Sequence, residues 1–134
     1  MRVTGGCLCG AIRFEGDAGP QFRVTCYCAG FRRTSRAAAM MGFTGGAIHV
    51  APGVREFFCK ADSGDDIVRA FCPTCGSSIY SRNAGIPHLI FLRASALDDP
   101  SLFARQLAVW AARAPACDVV PAHLPAFAEA PGGS

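Results

Sequence analysis

Apolar and polar positions alternate along most of the chain, and glycine or proline interrupts the alternation at short intervals. Residues 11–14 and 22–26 carry apolar side chains at every second position, the period of a half-buried strand. Residues 16–20 read as a turn, and residues 37–43 are apolar enough for a strand buried on both faces. Pro52-Gly53 separates two further strands, 48–51 and 54–59, as a turn would. A polar loop at 60–66 leads to strands at 67–71 and 77–81, which flank a cysteine-bearing turn. Strands at 88–94 and 106–110 complete the series. Only residues 29–36 suit a short helix, and Asp99 or Ser101 can cap a single turn through Phe103. Beyond Ala111 the chain is rich in alanine and proline, with Leu124 and Phe127 as anchors. The pattern predicts one mainly β domain over residues 1–128 and a frayed tail at 129–134.

Composition narrows the function. The 134 residues are 51% hydrophobic, enough for a real core. The formal charge is +3, and the arginines are dispersed apart from Arg32, Arg33 and Arg36. A nucleic-acid partner usually needs a denser basic face, so none is expected. No apolar run is long enough to span a bilayer, and the first residues lack the apolar core of a secretory signal. A cytoplasmic location in a reducing compartment is the expectation, and a homo-oligomer is compatible with the sequence.

In that setting eight cysteines point to metal before disulfides. Cys7-Leu8-Cys9-Gly10 and Cys72-Pro73-Thr74-Cys75-Gly76 are two knuckles, each followed by glycine. Four thiolates delivered this way suit a closed, structural zinc site, which leaves no position for substrate. Cys26 and Cys28 remain as a second candidate site. An alternative assignment gives Cys26 and Cys28, in place of Cys7 and Cys9, to the first metal; the better-placed glycine favours Cys7 and Cys9.

The ordered set Gly6-Cys7-Leu8-Cys9-Gly10, Cys26-Tyr27-Cys28 and Phe71-Cys72-Pro73-Thr74-Cys75-Gly76 resembles the glutathione-dependent formaldehyde-activating enzyme family, also called the centromere-protein-V-like family. Ala96-Leu97-Asp98-Asp99-Pro100, Val109-Trp110, Arg113 and Pro115 resemble its C-terminal segment, so the likeness runs from residue 5 to about 127. The resemblance implies a β-tent of stacked antiparallel sheets with a structural zinc on Cys7, Cys9, Cys72 and Cys75. It also implies a second, catalytic zinc on a Cys-x-Cys-x-x-Cys motif. The implied activity is a carbon–sulfur lyase reaction, the reversible joining of glutathione and formaldehyde into S-hydroxymethylglutathione.

The chain departs from that motif at its third cysteine, which is Phe31 here; a glycine usual shortly afterwards is Arg36, and Tyr27 stands where histidine is often found. Cys26 and Cys28 as ligands of a second zinc would need a donor from elsewhere. Cys59 is one candidate, though its plainer reading, like that of Cys117, is a small buried hydrophobe. Arg32 can steer the carboxylates of glutathione, since guanidinium forks match them; the plainer reading is a solvated basic face. His49, His88 and His123 have no ligand-like spacing, and Trp110 reads as core or pocket wall. Three functions follow: a lyase-like enzyme acting on a small thiol adduct, a zinc-stabilised binding domain without catalysis, and a redox dithiol at Cys26 and Cys28.

Overall fold

The computed structural model describes residues 1–104 and 106–130. Ten strands and one α-helix follow in order: β1 (Arg2–Gly6), β2 (Arg13–Asp17), β3 (Phe22–Cys26), α1 (Ala29–Ser35), β4 (Ala38–Thr44), β5 (Ile48–Val50), β6 (Arg55–Lys60), β7 (Asp66–Phe71), β8 (Ser78–Asn83), β9 (Leu89–Arg93) and β10 (Leu107–Val109). They form a three-stranded sheet, β1-β2-β5, and a seven-stranded sheet, β10-β3-β4-β9-β8-β7-β6. This is the mainly β architecture that the alternation predicts, in two stacked sheets as the family resemblance implies. One pairing departs from the antiparallel rule, because β10 lies parallel to β3.

The sheets stack because their strands are apolar on the facing sides. Val3 and Phe14 from the small sheet meet Met41, Phe43, Ile90 and Leu92 from the large one in the main core. β4 is central to the large sheet and is buried on both faces. Successive side chains of a strand point to opposite faces. Met41 and Phe43 therefore enter the main core, whereas Ala38 and Met40 enter a second cluster with Val24, Cys26, Cys28, Phe31, Val109 and Trp110.

Residues 48–51 and 54–59 are two strands on either side of Pro52-Gly53, and they part there: β5 pairs with β2, and β6 pairs with β7 at the far edge of the large sheet. Ile48 is drawn into the main core, while β6 finds its partner across the tight turn at 61–65. The turn expected from residue 16 starts later, because β2 continues through Gly16 to Asp17. Gly16 backs onto the Ala47 carbonyl, which leaves no room for a side chain.

At the other end, the N–H of Ala108 donates to the Pro125 carbonyl and that of Trp110 to the Glu129 carbonyl, at 2.9 and 3.0 Å. Phe127 and Ala130 pack on the second cluster. The expectation of fraying also covers residues 131–134, which lie outside the described residues.

Candidate functional site

The two knuckles meet although their cysteines lie far apart in sequence. Both are tight turns: the Gly10 N–H donates to the Cys7 carbonyl, the Gly76 N–H to the Cys72 carbonyl, and both glycines have positive φ, +82° and +77°. Residues with a β-carbon pay a steric cost there that glycine escapes. The Leu8 N–H donates to Ser77 Oγ at 3.0 Å and ties one knuckle to the other. The four sulfurs lie within 4.8 Å of one another, with Cys7–Cys9 at 3.6 Å and Cys9–Cys72 at 3.7 Å. A tetrahedron with Zn–S bonds of about 2.3 Å has an edge of about 3.8 Å. The geometry fits zinc.

The electrostatics fit as well. The Ser77 hydroxyl and amide and the Cys9 amide pull the Cys75 thiol down to about 5. The Ile12 N–H, 3.2 Å from the sulfur, pulls Cys7 down. Cys9 cannot follow: the Ala11 amide favours its thiolate, but its neighbour Cys7 and burial push it up to about 11. A divalent cation at the centre removes that conflict and lets all four ionise. Among the described residues this is the one group of three or more metal-type donors brought together. Four ligands close the coordination sphere, so such a metal holds the fold and performs no step on substrate.

Cys26 and Cys28 lie elsewhere, at the end of β3 and the start of α1. Two residues apart on extended backbone, they face the same way, while the Tyr27 hydroxyl between them donates to the Val119 carbonyl at 2.9 Å. Both line a cavity of about 450 Å³. Its apolar wall comes from Phe22, Val24, Met40, Phe91, Val109 and Trp110, and its polar side carries Asp62, Arg69 and Asn83. Trp110 is held in a left-handed conformation, φ 55° and ψ 32°, with the Arg113 guanidinium 5.7 Å from its ring. A non-glycine residue in that region is strained and needs its surroundings to hold it.

The two thiols share one proton. Cys28 is pulled down to about 6, first by its hydrogen bond to Cys26, then by the Phe31 amide and the Arg69 charge, against burial and Asp62. Cys26 is pushed far up by Cys28 and by burial. The pair is therefore one thiolate and one thiol near neutral pH.

Phe31 sits where the third thiolate of the resembled motif would be, and it is buried. The Arg69 and Arg93 guanidinium carbons lie 4.9 and 5.3 Å from its ring centroid. Cys59 does not join the pair: its sulfur accepts from Arg69 on the β6–β7 side. Asp62 is occupied by the Ala29 N–H at 2.8 Å and by Arg113 at 3.6 Å. Two sulfurs, an aromatic ring and two cations do not make a zinc site, and no step is assigned to a metal here.

Arg32 and Arg33 are exposed on α1, and neither lines the cavity; Arg36 is exposed and pairs with Asp118 at 3.2 Å. Sequence reasoning missed Arg69, which lines the thiol cavity, and Arg93, which stands with it against the Phe31 ring. Their signal was an arginine inside or ending an otherwise apolar strand. Cys117 is exposed, and none of the three histidines lines this cavity.

The sequence model of the glutathione-dependent formaldehyde-activating enzymes matches residues 2–113. The chain belongs to this family. No curated protein matches it. A Rhodobacter sphaeroides protein of known crystal structure is similar in fold, with a TM-score of 0.55 and 22% identity, over 71% of this chain and 87% of that one. The cysteine clamp and the cavity both fall within the matched segment, apart from residues after 113 that brace Trp110.

Proposed function

We propose that this family member is a carbon–sulfur lyase-type enzyme that makes and breaks the adduct of a small thiol, glutathione first, with an aldehyde such as formaldehyde. The observation that carries the reading is a buried thiol pair sharing one proton on the wall of a ligand-sized cavity, in a chain of this family. Cys28, as thiolate, draws the proton from the incoming thiol. The freed sulfur attacks the carbonyl carbon, a C–S bond forms, and the proton ends on the former carbonyl oxygen. Cys26 supplies or takes that proton, and Arg69 keeps the negative charge on Cys28. Nothing is oxidised or reduced, and the reverse sequence is the lyase reaction.

The clamp of Cys7, Cys9, Cys72 and Cys75 holds zinc as a structural ion in this scheme. The eight unpaired cysteines suit a cytoplasmic, reducing setting. Among the described residues no helix is long and apolar enough to cross a membrane.

Exchange spectroscopy of glutathione with carbon-13 formaldehyde tests the proposal. Adduct exchange should accelerate with the protein and return to the uncatalysed rate with Cys28→Ser. Wild-type protein that leaves the exchange rate unchanged would sink it. Glutathione binding without acceleration would favour the binding-domain reading, which the missing third donor at Phe31 supports.

A further inference from the structure

The same Phe31 ring separates two cavities. The second, of about 430 Å³, lies beyond it and is lined by Phe31, Arg69, Ser81 and Arg93 among others. Arg69 and Ser81 line both cavities, so the two adjoin.

The charges around this second cavity do not balance. Arg93 is only 6% exposed, and neither it nor Arg69 has a carboxylate within ion-pair distance among the described residues. Arg93 spends one donor on Ser35 Oγ at 2.7 Å, and Arg69 spends one on the Cys59 sulfur. The Nε–H of each is buried without an acceptor. A buried cation left unpaired is costly, and orphaned buried donors are rare enough to need an explanation. The negative groups nearby do not supply one. Asp62 is engaged by Arg113 and the Ala29 amide, and Glu56 accepts from the Tyr80 hydroxyl at 3.1 Å on the exposed β6 edge. The Cys26–Cys28 pair offers one negative charge against two guanidiniums. One positive charge is left over.

We propose that Arg69 and Arg93 form a carboxylate-binding site in the cavity beyond Phe31, which holds the acid group of the thiol substrate while its sulfur reaches Cys28. The inference rests on the thiol-adduct reading for the identity of the ligand. It adds a site and a specificity rule: the substrate carries a carboxylate close to its thiol, as the cysteinyl-glycine end of glutathione does. Planar guanidinium forks suit that group, and charge-assisted bonds to it are the strong kind.

The test uses S-methylglutathione, which has no free thiol and undergoes no adduct chemistry, and its glycine methyl ester, with binding followed by isothermal titration. Wild-type protein should bind the acid at least about tenfold more tightly than the ester, the scale of one or two charge-assisted bonds. In Arg93→Met that preference should collapse towards one, and Arg93→Lys should restore part of it. General damage to the fold would weaken acid and ester alike, so the ratio isolates the contact. Equal binding of acid and ester by wild type, or no binding of either, overturns the inference. So does a preference that survives in Arg93→Met. Turnover of glutathione and formaldehyde with no preference for the acid removes this site and leaves the proposed reaction standing. A clear preference without turnover keeps the site and removes the reaction.

Discussion

Cys72→Ser should unfold this protein's tertiary structure at a much lower temperature, and the size of the effect can be worked from the chain path. Cys9 and Cys72, whose sulfurs are 3.7 Å apart, are separated by 63 residues. Clipping a loop of that length removes conformational entropy from the unfolded chain worth about 4 kcal/mol at 25 °C. Against a typical total of about 5–15 kcal/mol that is a large share. It corresponds to a fall of roughly 10–15 °C in melting temperature for a domain of this size. Near-ultraviolet circular dichroism during heating reports the melt, and a chromogenic chelator reports the zinc released. Wild type should release its clamp zinc as it unfolds, and Cys72→Ser should have none to release. The pair Cys7→Ser and Cys72→Ser gives a sharper check. Once either removes the metal, the second has little left to remove, so the double variant should melt close to the worse single one. Additive losses, or a Cys72→Ser melt within a few degrees of wild type, would refute the metal clamp. Cys117→Ser, at an exposed thiol, serves as the control.

Three further outcomes are expected. Alkylation of Cys28 by iodoacetamide, read by peptide mass spectrometry, should be half-maximal near pH 6, because its thiolate is present above that value and lost as pH falls through it. Arg69→Met should move that midpoint upward by removing a neighbouring positive charge; a midpoint that stays put would show that Arg69 does not act on Cys28. Phe31→Ala, which empties a buried site between two cavities, should cost about 3–5 kcal/mol in urea unfolding; a loss below about 1 kcal/mol would mean the ring is not the packed partition described.

The strands were legible because alternation with period two leaves few alternatives, and the clamp because paired cysteines beside glycine need a tight turn whatever surrounds them. Positions set by sheet order were not legible. Arg69 on β7 and Arg93 on β9 reach the Phe31 ring only because β4, β9, β8 and β7 lie side by side, an arrangement no local pattern encodes. Arg32 failed to line the cavity for a reason visible in hindsight. Phe31 takes the inward position on α1, and the next residue is turned by about 100° around a helix. The apolar run at 48–51 likewise signalled a strand correctly while its neighbour in sequence proved a poor guide to its neighbour in space.

The parallel pairing of β10 with β3 bears on how the molecule is made. A chain leaving the ribosome N-terminus first has Cys7, Cys9, Cys72 and Cys75 in hand once residue 75 has emerged, so all four clamp ligands are outside before residue 107 emerges. Val109 and Trp110, which wall the cavity over Cys26 and Cys28, come afterwards, and residues 125–129 secure them. The nascent protein thus acquires its scaffold first and its chemistry last. A chain cut short just before β10 would keep all four clamp ligands while lacking the strand that walls the thiol pair, so bound zinc alone is no sign of a finished molecule.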